Sequence, residues 1–284
     1  MKHWLMGLFC LLLAGTALAN SLDDMRQRVQ ATMLVTGSIL VAPDGAVRSY
    51  TIDHPEKLPP VVVALIDKAT KSWIFAPVLV KGQPVTAKAT MSLRVIAKPE
   101  GKDEYAIGLE GADFGQDADV ALGKTSISGN RPSPHYPPSA ISAGVWGTVY
   151  VRALVNREGR VVNAFAEQVN MGVVASDQEL DKWRRVLADA SLAAVKRWTF
   201  EIPTEGPEAT KDSWEARIPV SFILDGRTPR ERYGRWDSYV PGPKQAVPWQ
   251  EKSEAFPDAA DAIADDSVHQ IGSGLHLTTP LNGA

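Results

Sequence analysis

Val149-Tyr150-Val151-Arg152-Ala153-Leu154-Val155-Asn156-Arg157-Glu158-Gly159-Arg160-Val161 is the stretch on which the fold turns. Val149, Val151, Ala153 and Val155 alternate with Tyr150, Arg152, Leu154 and Asn156, a period of two that sends successive side chains to opposite faces of a strand. Arg157-Glu158-Gly159 reads as a turn into a second extended run over residues 161–166. Farther on, Ser176 followed by Glu179 predicts a capping box ahead of a longer helix, whose apolar face carries Leu180, Trp183, Leu187, Ala190 and Ala194. A closing strand puts Trp214, Ala216, Ile218, Val220 and Phe222 on one side. Pro219 cannot donate to a ladder, so its nitrogen is expected to face away from any paired neighbour or to lie at a bulge, with the strand exposed locally on one side.

The same order occurs earlier in the chain. Ile39 and Leu40 lie in a strand-like run, Pro43-Asp44-Gly45 reads as a tight turn, and residues 47–52 resume extended character, which predicts two antiparallel strands. After Leu58-Pro59-Pro60, Val62, Leu65, Ile66 and Ala69 share a helical face, with proline tolerated in the first turn. The helix is expected to end before Trp73-Ile74-Phe75. Beyond a turn at Gly82, Ala87, Ala89, Met91, Leu93 and Val95 alternate with Lys88, Thr90, Ser92 and Arg94, the pattern of a strand with one solvated face. Gly45, Trp73, Phe75 and the Met91, Leu93, Val95 face correspond in order to Gly159, Trp198, Phe200 and the Ile218, Val220, Phe222 face, an internal repeat. The predicted fold class is α+β: two small domains, each with helices packed on an antiparallel β-sheet. Trp73, Phe75, Trp198, Phe200, Val220 and Phe222 are the expected structural core.

The 284 residues carry 30 Lys plus Arg against 33 Asp plus Glu, a formal charge of -3, which argues against nucleic acid as a general partner. Lys2 and His3 precede an apolar stretch over residues 4–14, and Ala17-Leu18-Ala19 supplies small residues for a signal peptidase. Residues 1–19 are therefore expected to be a cleaved secretory signal peptide that delivers the chain to the periplasm. The competing expectation is an uncleaved anchor over residues 4–18, with inner-membrane association. Cys10, the one cysteine, lies inside this segment, so the mature chain would hold no disulfide, cysteine nucleophile or thiolate metal site. Leu22, Met25 and Val29 suggest a short helix over residues 21–32.

The first domain is placed at residues 34–115, including an added strand around Ile107 and Leu109, with a linker at 116–130 and the second domain at 131–226. Residues 227–284 form a C-terminal extension that is largely irregular. From residue 241 onward Lys244 and Lys252 face Glu251, Glu254, Asp258, Asp261, Asp265 and Asp266, a net -4 typical of a disordered or loosely docked tail, with a short helix possible near 258–264.

Pro134-His135-Tyr136-Pro137-Pro138-Ser139-Ala140, Gly144, Gly147-Thr148-Val149, Glu158-Gly159-Arg160-Val161, Leu192-Ala193-Ala194-Val195, Trp198-Thr199-Phe200 and Ile218-Pro219-Val220-Ser221-Phe222 together resemble the TonB C-terminal domain family over residues 134–224. Residues 34–95 resemble a diverged second copy. It lacks the Tyr-Pro approach segment, and eight positions separate Gly37 from Gly45 where twelve separate Gly147 from Gly159. The resemblance implies a small α+β unit. Members similar to the energy transducer bind the periplasmic face and N-terminal peptide of outer-membrane receptors through a sheet edge and the Tyr-Pro region. They normally add a membrane helix and a proline-rich spacer, whereas the 20 prolines here are dispersed.

No catalytic residues, metal or cofactor are expected. His54, His135, His269 and His276 show no metal-ligand spacing, and Gly123-Lys124-Thr125 follows Ala118 where a phosphate loop needs glycine. Asp53-His54 is the only adjacent acid and imidazole pair, and neighbours on a strand point apart. The expected protein-binding residues are Tyr136, Pro137, Arg217, Pro219 and Ser221. Tyrosine offers apolar area with one polar handle and proline favours extended backbone, the alternative being that Tyr136 simply packs over its own sheet. The expected function is that of a non-enzymatic periplasmic adaptor related to TonB-type energy transducers, contacting an outer-membrane TonB-dependent receptor or another envelope protein. The alternatives are a structural or assembly protein of the envelope, as paired domains or a homodimer, and a membrane-anchored transducer.

Overall fold

The computed structural model describes residues 29–100, 104–115, 128–204, 207–226, 229–249, 261–263, 267–272 and 274–282. The expected signal peptide or anchor, residues 116–127 of the expected linker and most of the helix expected near 258–264 lie outside them. In chain order, the first part holds β1 (Gln30–Val41), β2 (Val47–Ile52), α1 (Pro60–Thr70), β3 (Val78–Val80), β4 (Gln83–Val85), β5 (Ala87–Pro99) and β6 (Tyr105–Asp113). The second holds β7 (Ser128–Asn130), α2 (Pro138–Ser142), β8 (Gly147–Asn156), β9 (Val161–Met171), α3 (Asp177–Val195), β10 (Thr199–Glu201) and β11 (Ser213–Phe222). The remaining chain adds α4 (Pro229–Arg232), β12 (Asp237–Tyr239) and β13 (His269–Gln270). The fold is α+β with antiparallel sheets.

In the first sheet β1 runs beside β5 from Ala31 opposite Ala97 to Val41 opposite Ala87, and β6 flanks β5. β1 begins at Gln30 rather than within the helix expected to reach residue 32, because Gln30, Ala31 and Thr32 pair with β12 and so take extended geometry. The odd-numbered residues of β1 and β5 face α1. Val35, Leu93 and Val95 pack with Val62, Ile66 and Ala69, and Trp73, Phe75 and Phe114 close this core as an edge-to-face trio. Each such fully buried apolar side chain contributes about 1.5–3 kcal/mol over exposure.

The second sheet has the order β13-β11-β8-β9. Val149, Val151, Ile218 and Val220 pack with Leu180, Leu187 and Val195 of α3, together with Trp198 and Phe200. The reciprocal capping box of Ser176 and Glu179 starts α3. β11 pairs with β8 over its whole length without a register shift, so Pro219 makes no bulge.

The two halves repeat one local geometry. The Phe75 N–H donates to the Gly45 carbonyl at 2.8 Å, and the Phe200 N–H to the Gly159 carbonyl at 2.7 Å. Both glycines have positive φ, 88° and 71°, and a Cβ at either would lie about 2 Å from the phenylalanine carbonyl oxygen, at 2.0 and 1.9 Å. Only glycine suits that backbone and that approach. The isolated bridges Ala46 to Ile74 and Arg160 to Thr199 repeat the pairing one residue beyond each glycine.

Further expectations are corrected here. Ser92 and Arg94 of β5 are buried, not solvated, although Lys88 and Thr90 on the same face are exposed. The face is covered where Tyr150 of β8 and the C-terminal chain meet it. The described parts of that chain are also not loosely docked. β12 adds a strand to β1, Val240 exchanges both backbone bonds with Met171 at 2.8 and 3.0 Å, and β13 adds to β11. Residues 275–282 return to the first sheet, where the Trp73 Nε1–H donates to the Leu281 carbonyl and the Asn282 amide both accepts from and donates to the Leu109 backbone. Net charge cannot reveal this, because the tail is held by added strands and by Tyr239, Val240, Val247 and Ile263, all buried. Residues 128–130 of the expected linker likewise form β7, paired with β10.

Candidate functional site: the β11 edge and the polar layer beside it

β11 has two edges with different tasks. On the β8 side Ala216, Ile218 and Val220 are the core-facing residues, opposite Ala153, Val151 and Val149. On the other edge the Ile271 N–H donates to the Glu215 carbonyl at 2.8 Å, and Arg217 lies opposite His269. Strand alternation puts Pro219 on that same outer edge, where its missing N–H costs the β8 ladder nothing.

Arg217 was expected to make surface contacts. It is 1 % exposed, and its guanidinium holds Glu167 in a bidentate pair, Nε to Oε2 at 2.7 Å and Nη2 to Oε1 at 3.0 Å. Pro219 is buried as well. The reason lies in the layer above the sheet. Arg152 reaches both Glu167, at 3.7 Å, and Glu215, while the C-terminal chain lays Lys244 3.6 Å from Glu167 and Trp249 Nε1 3.0 Å from Glu215. Ser221 is half-buried, with its hydroxyl 3.0 Å from that of Thr148.

Tyr136 packs edge-on against Phe222 at 5.1 Å, and its hydroxyl donates to the Val145 carbonyl at 2.7 Å. Burial pushes its phenol up to about 12. Pro137 is the N-cap of α2 and its carbonyl accepts from the Ala140 and Ile141 amides. The structure thus brings Tyr136 onto the end of β11 through Phe222, while Arg217 and Pro219 lie farther along that strand.

Sequence reasoning missed the seam between the two sheets. The Arg94 Nε donates to the Asp261 carbonyl at 2.7 Å, Nη1 to Thr32 Oγ1 at 3.2 Å and Nη2 to the Tyr150 hydroxyl at 3.1 Å. The Asp261 carboxylate accepts from the Tyr239 hydroxyl and from Asn170 Nδ2. Burial first, and the Asp261 charge next, hold the Tyr239 phenol far above its ordinary value. A cavity of about 350 Å3 opens beside this seam, lined by Thr32, Trp146, Tyr150, Tyr233 and Tyr239 among others. Arg94 gave no sequence signal of the seam, since it continues the polar alternation of Lys88, Thr90 and Ser92. Among the described residues no group of three or more His, Cys, Asp or Glu could hold a metal ion, and no helix is long and apolar enough to cross a membrane. The arrangement can hold an extended segment at a strand edge.

No family model matches the chain, and no solved structure matches it. Among curated proteins it is similar to Protein TonB of Xanthomonas campestris pv. campestris, in each of two strains, at 29 % identity over 114 residues, covering 40 % of this chain and 42 % of the relative. It is also similar to Protein tonB2 of Pseudomonas aeruginosa, at 31 % over 96 residues, covering 34 % of this chain and 30 % of that protein. The chain spans less than half the length of these curated relatives. With the antiparallel α+β architecture, the similarity supports a TonB-like domain within this chain.

Proposed function

We propose that this chain is a periplasmic protein-binding adaptor related to TonB-type energy transducers, exported by a cleaved signal peptide over residues 1–19. It would act on an outer-membrane TonB-dependent receptor or another envelope protein, by binding and without cofactor or catalysis. The two domains would be tandem copies of one TonB C-terminal-like unit, the first diverged. The shared glycine to phenylalanine geometry supports that part of the reading. The observation that carries the function is the outer edge of β11, whose Glu215 and Arg217 pair with an added extended segment. Strand addition offers affinity through backbone groups alone.

The test is retention of a defined envelope protein from extract on the immobilised chain, compared with a Ser221→Pro variant. Ser221 shares the parity of Pro219, so proline there removes an outward donor and spares the β8 ladder. Retention of one partner, weakened in the folded variant, supports the reading. Failure to retain any defined protein removes it. The laced C-terminal chain favours a second reading, a structural or assembly protein of the envelope, in which the same edges serve as seams. Light scattering over a concentration series separates the two, since an assembly protein would self-associate.

A further inference from the structure

Asp113 ends β6 in the first sheet, yet its carboxylate lies 2.9 Å from the His269 imidazole Nδ1, on the segment that pairs with β11 in the second sheet. Both side chains are close to buried, His269 11 % and Asp113 13 % exposed. The segment is therefore read on two sides. β11 supplies backbone groups at Glu215 and Arg217, and β6 supplies one carboxylate that recognises a side chain. Two residues later the segment turns at Gly272, φ 77°, and Leu275 donates to the Phe114 carbonyl at 2.9 Å, which leaves the added strand two residues long. Pro219, with no N–H to offer, stands at the next outward position of β11.

We propose that the Glu215 to Arg217 edge and Asp113 form a strand-receiving groove, filled in this structure by the chain's own residues 269–271, and that a partner enters by exchange with them. The partner is an extended peptide with an imidazole or ammonium side chain facing Asp113. This rests on the adaptor reading and deepens it: the first domain contributes the specificity element of a groove whose backbone edge belongs to the second. A short added strand suits exchange, because few ladder bonds must open, while the side chain at Asp113 sets which strand is accepted. A charge-assisted bond to a nearly buried carboxylate discriminates better than backbone pairing, which any sequence can make.

The experiment uses the full chain and a fluorescent synthetic peptide of its own residues 266–274 as probe. Ile271→Pro deletes the donor to Glu215, and His269→Ala deletes the side chain at Asp113, so that either variant empties the groove if the other does not fold. Occupancy in cis weakens apparent affinity in proportion to the filled fraction. The probe should therefore bind either variant at least about tenfold more tightly than the unaltered chain, with loss of exchange protection at the Arg217 amide. Adding Asp113→Asn to the variant should weaken probe binding again by about tenfold. Equal affinity for the unaltered and variant chains, an Arg217 amide that stays protected in both variants, or indifference to Asp113→Asn would each overturn the proposal. Because the probe is the chain's own segment, such a result leaves the adaptor reading standing, and failure to retain an envelope partner leaves the groove standing.

Discussion

Replacing Glu167 by glutamine keeps the side-chain shape and one acceptor but removes the carboxylate that faces two nearly inaccessible arginines. Glu167 and Arg152 are each 2 % exposed and Arg217 1 %. Arg217 makes two short bonds to it, and Arg152 and Lys244 approach at 3.7 and 3.6 Å. Removing one member of a buried pair costs about 3–5 kcal/mol, because the cations left behind have already lost their water. The lower end applies, since glutamine still accepts one bond and Glu215 still serves Arg152. At a urea dependence of about 2 kcal/mol per molar, a loss of about 3 kcal/mol lowers the unfolding midpoint by roughly 1.5 M. The assay is urea unfolding followed by tryptophan fluorescence, with the slope checked for constancy. Arg217→Met should cost less, because Glu167 then keeps Arg152 and Lys244 beside it. A midpoint shift for Glu167→Gln below about 0.5 M, or a larger effect for Arg217→Met, would refute the view that this carboxylate compensates the layer.

Gly159→Ala forces a left-handed backbone and a carbonyl contact at once, and should cost roughly 2–4 kcal/mol by the same assay. Gly45→Ala should cost a similar amount, and a much smaller loss there would weaken the tandem-copy proposal. Ser176→Ala removes the oxygen that caps α3 and should lower stability by about 1 kcal/mol, with faster amide exchange confined to its first turn. The Tyr136 phenol is raised to about 12 by burial, so between its unfolded value near 10 and that value the unfolded chain loses a proton the folded chain keeps. Stability should therefore be fully present below about pH 10 and fall as pH rises toward 12, and Tyr136→Phe should flatten part of that fall in pH-dependent melts.

Periodicity, with turn and capping signals, determined the long strands, the main helices and the two cores of this protein. The alternation from Val149 to Val155 and from Ala87 to Val95, the helical spacing of Val62, Ile66 and Ala69, and the capping box at Ser176 are local signals that burial against one partner layer makes legible. Trp73, Phe75, Trp198 and Phe200 are buried because each closes a core next to a glycine turn, which the residue order discloses. The other faces of the sheets were not legible. Arg94 read as a solvated position and Arg217 as a partner contact, while Arg152 was only the alternate of apolar neighbours, since a period of two says which residues share a face but not what covers it. Only tertiary structure brings Tyr150 and Asp261 to Arg94, Glu167 to Arg217 and His269 to Asp113, joining residues 167 positions apart in one hydrogen bond. The tail's role was hidden for the same reason: strand addition uses backbone groups that every residue carries, so its pairing partners are chosen by geometry and leave little mark in composition.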